Sequence, residues 1–586
     1  MRNIYRLFRR IDQDYKHFTL KVCLTSIVLG FLPIINILAP KLIIDELSGV
    51  ISLEKLGLIV AVILLTNLIN SLLKTYYNNY FDLVFESMTD KMLFDLSEKS
   101  LRLPIEESDS KVVQDKLEAA HDAVFTLFGL EEAMNFAVTS IITGIFAIGV
   151  LIRLSIFIPL IGLVVIIANK KFVNLIKENE INYQKHNIPD LRVYRYFTNF
   201  SQDFKYSKDL KIYRGEDLIL EKSKHYMDQM IETSKCYFNK NGIYQGIMNI
   251  TSNATIVAQL IYLTYKLIKK TISLADFTLY FNSIIQLINT INLCQKNYAQ
   301  VISANEKLNS YFEFINLKEQ YDPGKDYVNI DDDKISIEFR NVIFKYPKSD
   351  KNTLKNCSFK IDNGESVALV GKNGAGKSTI VKLLCKFYEP SEGAILINGV
   401  DLRDISKEDY YKILSPTFQD FRLFPFRVNE NITADKAENI SEDKKEEIYK
   451  SLKLLGIYDW VTSLPKGDNT YLTNLFDEEG IEPSGGIGQK IALSRSMIHG
   501  GKFFIMDEPT SALDPRSEQD IFEKMLEISK GQTSLFISHR LSSTKYADRI
   551  IVCDDGFIKE NGSHDDLMKV DGLYKKMFTT QAELYS

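Results

Sequence analysis

The chain has 586 residues and a mass of 67.2 kDa, too long for one compact domain and enough for two to four. Hydrophobic residues make up 45% and charged residues 25%, which excludes a wholly disordered or collagen-like chain. The formal charge of −5 gives no reason to expect a nucleic-acid partner. A mean hydropathy of −0.09 resembles that of a soluble enzyme, but it averages two unlike halves.

Six uncharged, mainly apolar stretches fall in the first 300 residues: Val22–Pro40, Leu56–Leu73, Ala133–Ile152, Leu154–Asn169, Asn241–Tyr265 and Phe277–Gln295. A helix crossing a bilayer needs about 20 such residues, and all but the fourth come close to that by themselves. At the end of the fourth, Lys170 and Lys171 are placed to snorkel to the headgroups. The first stretch is too long for a cleaved signal peptide, and no small-residue cleavage site follows it. This half reads as a helical membrane domain embedded in a lipid bilayer.

Arg2, Arg6, Arg9, Arg10, Lys16 and Lys21 precede the first span and place the N-terminus on the cytoplasmic side. Six crossings return the chain to that side, so the C-terminus is expected there too. Lys266, Lys269 and Lys270 on the outer side run against this charge pattern. The long connections after the second and fourth spans predict that spans two to five continue as helices well beyond the bilayer. About 25 extra helical residues would reach roughly 35–40 Å. Breaks are expected at Leu103-Pro104 and at Tyr213-Arg214-Gly215.

Polar residues inside the spans cluster. Asn282, Gln286 and Asn289 share one helix face, the second span carries Asn67 and Asn70, and the fifth carries Asn249, Asn253 and Gln259. Two readings stand side by side: hydrogen bonds between helices, or a polar and mostly uncharged cavity.

Tyr321-Asp322-Pro323-Gly324 reads as a linker, giving a membrane domain over 1–320 and a second domain over 330–586. In the second, the apolar run Ser366–Val370 leads into Gly371-Lys372-Asn373-Gly374-Ala375-Gly376-Lys377-Ser378, with a helix predicted from Thr379 to Phe387. Strand, G-x-x-x-x-G-K-S and helix together define a P-loop. The glycines allow backbone N–H groups to turn toward phosphates, and the helix N-terminus adds favourable partial charge. Lys377 is expected to reach the β- and γ-phosphates, and Ser378 to ligate Mg2+. Further on, Phe503-Phe504-Ile505-Met506 ends in Asp507-Glu508. Asp507 is expected to hold Mg2+, and Glu508 to polarise an attacking water as general base. Six scattered cysteines without a CxxC spacing point to reduced thiols rather than disulfides or zinc.

These features resemble the ATP-binding cassette (ABC) transporters of exporter type, in which six transmembrane helices precede an α/β P-loop ATPase domain in a half-transporter. The resemblance covers essentially the whole chain. It implies that Tyr346, in Phe344-Lys345-Tyr346-Pro347, stacks on adenine, and that Gly371 through Thr379 cradle the phosphates of ATP. It implies that Gln419 contacts Mg2+ and that Glu478, in Asp477-Glu478-Glu479-Gly480, is the acidic residue of the exporter X-loop. Ser511-Ala512-Leu513-Asp514 matches the D-loop, and His539 matches the histidine that assists at the γ-phosphate.

In this family the P-loop of one domain faces the signature segment of another. That segment reads Pro483-Ser484-Gly485-Gly486-Ile487 against the usual Leu-Ser-Gly-Gly-Gln. Ser484, Gly485 and Gly486 are kept as contacts in trans. Pro483 removes a backbone N–H, and Ile487 removes a polar group. An intact Glu508 beside an altered signature resembles one subunit of a heterodimeric exporter. A homodimer with a tolerant signature is the other reading.

The resemblance implies ATP-driven export of a peptide, lipid or hydrophobic small molecule by alternating access, with hydrolysis at Glu508 resetting the cycle. An importer of a siderophore-like compound on the same fold would differ in transport direction. A nucleotide-gated channel or regulatory subunit would conduct ions without turnover. The expected location is the cytoplasmic membrane of a bacterium.

Overall fold

The computed structural model describes residues 2–49, 52–108, 110–125, 127–202, 206–318, 335–347, 349–508, 523–525, 529–538 and 541–585. The chain divides into two compact units: Met1–Leu103 with Glu107–Glu319, and Gln320–Ser586 with the short break Pro104–Glu106. The expected linker Tyr321–Gly324 lies outside the described residues.

The first unit is helical: α1 Arg2–Asp14, α2 Phe18–Phe31, α3 Ile34–Ser48, α4 Leu53–Arg102, α5 Ile105–Ser108, α6 Lys111–Val124, α7 Leu127–Leu154, α8 Phe157–Gln202, α9 Ser207–Tyr213, α10 Glu216–Ile268 and α11 Leu274–Ile315. The first expected span is not one helix. It is interrupted at Leu32-Pro33, because proline supplies no N–H to continue the ladder.

Among the described residues, Phe18–Ser48, α4 and α8 are long and apolar enough to cross a membrane, and Val138–Leu154 of α7 is a shorter apolar helix. The fourth expected stretch is therefore stronger than its length suggested, since α8 carries it as part of a 46-residue helix. The fifth and sixth lie in α10 and α11, which are 53 and 42 residues long but do not reach the same apolarity. Their carboxamides and hydroxyls, Asn249, Ser252, Asn253 and Gln259 on α10 among them, dilute the hydropathy of uncharged stretches.

Helices α4, α8 and α10 continue well past their apolar stretches, as expected for the second, fourth and fifth spans; α7 begins at Leu127, close to the start of the third stretch, and lacks the expected extension, whereas α11 runs on to Ile315 although none was expected for the sixth. Both expected breaks are present. Leu103 is extended ahead of Pro104, and Arg214 adopts a left-handed φ of 52° after α9. One apolar cluster joins α1, α2, α4, α6 and α11 around Phe81, Phe85 and Phe314; a second joins α7, α8, α10 and α11 around Leu263 and Ile288. Tyr311 ties the first cluster to charge: its hydroxyl donates to Asp95 at 2.7 Å and accepts from Arg10 at 3.0 Å.

Several intramembrane polar groups pair between helices. Asn36 donates to Asn67 at 3.0 Å, Gln286 to Thr143 at 2.9 Å, Ser252 to Asn292 at 2.7 Å and Gln259 to the Ile158 carbonyl at 3.3 Å. Gln286 is thus turned to α7, in line with the reading of hydrogen bonds between helices, while Asn289 is exposed.

The second unit holds two sheets. Strands β1 Ile337–Phe344, β2 Leu354–Ile361, β4 Glu392–Ile397 and β5 Val400–Asp401 form an antiparallel sheet in the order β2-β1-β4-β5. Strands β3 Ser366–Val370, β6 Leu414–Thr417, β7 Phe503–Asp507, β8 Thr533–Ile537, β9 Arg549–Asp554 and β10 Phe557–Gly562 form the other, in the order β10-β9-β3-β8-β7-β6. Only the β9–β10 pair is antiparallel there. Its central strands β3, β7 and β8 are buried almost throughout and mainly apolar, because both faces are covered. Val367, Leu369, Phe503, Ile505, Leu535 and Ile537 face the antiparallel sheet, whereas Ala368, Val370, Phe504, Met506 and Phe536 face the helical side. That side is packed by α14 Val428–Thr433, α15 Glu442–Leu454 and α17 Gly485–His499.

Candidate nucleotide site

Parallel register brings the candidate residues to one edge of the sheet. Leu369 pairs with Ile537, Asp507 with Ile537, and Met506 with Thr417. The segments after β3, β7 and β6 therefore start at neighbouring carboxyl ends, where open parallel sheets bind ligands. These segments are Gly371–Ser378, Glu508 and Gln419.

The P-loop turns directly from β3 into α12 Lys377–Leu384. The helix is shorter than expected, ending before Lys386, which takes a φ of 53°. Gly374 and Gly376 have φ of 80° and 107°, a region that costs other residues strain. Gly371 is required by closeness: a methyl group there would lie 2.1 Å from the Cys553 carbonyl oxygen. Lys372, Asn373, Gly374 and Ser378 are exposed, whereas Ala375, Gly376, Lys377 and Thr379 are buried. Lys377 Nζ donates to the carbonyls of Gly371 at 2.8 Å and Lys372 at 3.1 Å, so the ammonium lies within the loop. Burial lowers its pKa, against the pull of Glu508, Cys553 and Asp507.

Asp507 ends the fully buried strand β7, and its Oδ1 has no hydrogen-bond partner among the described residues. Burial, reinforced by Glu508 and Asp420, pushes its pKa up to about 6. A desolvated carboxylate with a free oxygen fits a hard cation. Among the described residues no three His, Cys, Asp or Glu side chains gather as a metal site. Glu508 breaks from the strand at a φ of 49° and donates its N–H to the Ile537 carbonyl at 3.1 Å. Gln419 is exposed just beyond β6, beside the end of β7.

Tyr346 is half-buried with its hydroxyl 3.1 Å from that of Thr379. Phe344 and Tyr388 meet its ring edge-on at 5.0 and 5.4 Å, and Lys382 lies over it at 5.3 Å. Ser484 and Gly485 are exposed at the start of α17, and Gly486 is half-buried. None of the described hydrogen bonds links them to Gly371–Ser378. Ile487 packs against the apolar cluster on the helical side, which explains how an aliphatic residue is accommodated there. Glu478 is exposed in a turn closed by the Gly480 N–H on the Asp477 carbonyl at 2.8 Å. His539 and Ser511–Asp514 lie outside the described residues.

The sequence reading missed the support beneath the P-loop. The Ala375 carbonyl accepts from Cys553 Sγ at 2.9 Å and from the Gly556 N–H at 3.1 Å. It also missed Asp420, which raises Asp507 electrostatically, and Tyr388 beside Tyr346. Asp420 follows Gln419 directly, so adjacency was the available signal.

Comparison with known proteins extends the picture. Residues 354–511 match the ABC transporter family. The subtilin transport ATP-binding protein SpaT of Bacillus subtilis is 28% identical over 586 residues, 98% of this chain and 94% of that protein. The ATP-dependent lipid A-core flippase of Escherichia coli K12 is 29% identical over 430 residues, 73% of this chain and 71% of that protein. A solved bacterial Atm1-family ABC exporter with ATP bound shares the fold with a TM-score of 0.80, at 23% identity, over 96% of this chain and 98% of its own.

Proposed function

We infer how this chain, which belongs to the ABC transporters of exporter type, carries out ATP-driven export with its own residues. The observation that carries the reading is the convergence of Lys377, Asp507 and Glu508 at one edge of the parallel sheet. ATP lies with its phosphates on Gly371–Thr379 and its adenine against Tyr346. Ser378, Gln419 and Asp507 hold Mg2+, which supplies charge neutralisation at the phosphates. Lys377 leaves the loop carbonyls for the phosphate oxygens. Glu508 orients and polarises the attacking water, with His539 assisting at the γ-phosphate.

The site is completed in a dimer, where Ser484, Gly485 and Gly486 of one copy face the P-loop of the other. Ile487 is half-buried against its own domain with Ser484 left exposed, an arrangement compatible with a homodimer and with a pairing with a second half-transporter alike. Both termini lie on the cytoplasmic side of a bacterial membrane, from the basic residues ahead of α2. The cargo is a peptide, lipid or hydrophobic small molecule. The names of SpaT and of the lipid A-core flippase support the first two.

The test is ATP hydrolysis by the chain purified alone in lipid. Glu508→Gln should keep nucleotide binding while lowering turnover by about 100-fold or more. Near-wild-type turnover in that variant refutes the role of Glu508. Silence from folded wild-type protein shows that a second subunit is needed.

A further inference from the structure

The register of β9 against β3 places one side chain beneath the P-loop. Val370 pairs with Val552, so Cys553 lies beside Gly371, the first residue of the loop. Cys553 is fully buried. Its carbonyl oxygen is what a methyl group on Gly371 would strike, at 2.1 Å, and its Sγ donates to the Ala375 carbonyl at 2.9 Å. One residue thus meets the start of the loop with its backbone and the middle of the loop with its side chain. Burial pushes the thiol pKa up to about 11, so at neutral pH the sulfur carries the proton that it donates.

A peptide group is planar, and in its trans form the C=O and the following N–H point in opposite directions. The Ala375 carbonyl is held toward β9 by two donors, Cys553 Sγ and the Gly556 N–H at 3.1 Å. The Gly376 N–H is therefore turned the other way, away from β9. Gly376 is buried, yet none of the described hydrogen bonds uses that N–H. A buried N–H without a partner is costly, and a phosphate oxygen in the loop would satisfy it. The Gly556 bond is made by backbone alone, so the side chain at position 553 is the part of this support that the sequence chooses.

We propose that Cys553 is a positioning residue for the nucleotide: its S–H bond to the Ala375 carbonyl orients the peptide between Ala375 and Gly376 so that the Gly376 N–H meets a phosphate oxygen of ATP. The proposal rests on the nucleotide site described above and adds to it a residue 178 positions further along the chain. The coupling runs both ways. When the N–H bonds phosphate, the peptide polarises, its carbonyl becomes a better acceptor, and the S–H bond strengthens.

The test uses the full chain in lipid nanodiscs, read by infrared spectroscopy and by titration with MgATP. The S–H stretching band falls in a region clear of other protein bands, and Cys553→Ser identifies the Cys553 contribution by its loss. That contribution should lie below the frequency of unbonded thiols and move further down when MgATP binds, a shift that a role in packing alone would not produce. Cys553→Ala should weaken MgATP binding about fivefold, whereas Cys553→Ser, which keeps a donor, should stay within about twofold of the wild type. A band that does not move on binding, or equal affinity in wild type and Cys553→Ala, overturns the proposal. The band shift is measured on unsubstituted protein, so the result stands even if the alanine variant misfolds. Normal MgATP binding without the shift refutes the role of Cys553 alone; no MgATP binding by the wild type refutes the nucleotide site as well.

Discussion

In the α/β unit, apolar side chains fill both faces of the parallel sheet, and polar groups gather at the strand ends beside backbone turns. In the helical unit, polar carboxamides sit within the packed helix faces and are bonded across them, as between Gln286 and Thr143 or Ser252 and Asn292. One arrangement concentrates unsatisfied charge at a single edge, where a charged ligand completes it. The other disperses uncharged polarity and satisfies it locally, leaving exceptions such as Asn169 and Gln295. A polar group in the first unit is thus held for chemistry at some cost to the unliganded fold, whereas most of those in the second help to hold the helices together.

The largest expected effect tests the concentrated site. Lys377→Ala should weaken ATP binding about 100-fold, since a buried cation aimed at phosphates is lost. Titration with a fluorescent ATP analogue checks this, and unchanged affinity would remove Lys377 from the site.

Asp507→Asn comes next and has two opposite signs. The folded-state pKa of Asp507 is raised to about 6 from 3.8, so protonation favours the fold. Stability from this group is present below about pH 4 and is lost as pH rises through about 6. At pH 7 without nucleotide the variant should be more stable on the order of 2 kcal/mol, an advantage that disappears below pH 4. It should also lose most of the stabilisation that MgATP gives the wild type. Thermal unfolding across pH, with and without MgATP, reads both effects.

The smallest effect probes the helical unit. Tyr311→Phe removes a hydroxyl that bridges Arg10 and Asp95, but those two remain paired directly at 2.5 Å. The expected loss is about 1 kcal/mol, with ATP hydrolysis unchanged. A much larger loss by thermal unfolding would mean that charge in this unit is as costly to disturb as at the nucleotide edge.

The same contrast explains what could be read from the sequence. Gly371–Ser378 is legible because a phosphate-cradling turn demands those residue types at that spacing. Asp507-Glu508 is legible because an apolar strand points to it. The support of Ala375 by Cys553 spans 178 positions and has no local signature, since it follows from β9 lying beside β3. In the helical unit, hydropathy revealed the long helices but read through the break at Pro33. It also counted α10 and α11 by their lack of charge, although their polar residues lower their apolarity. Which carboxamide meets which depends on helix rotation, and that is set by packing between distant segments.

Helix α4 runs unbroken for 50 residues without a proline, about 75 Å at 1.5 Å per residue. A rod of that length acts as a gear between angle and distance. Pivoting by roughly ten degrees at one end sweeps the other through roughly 13 Å. The repacking needed at the pivot is a matter of side-chain shifts, while the motion delivered at the far end exceeds the width of a helix.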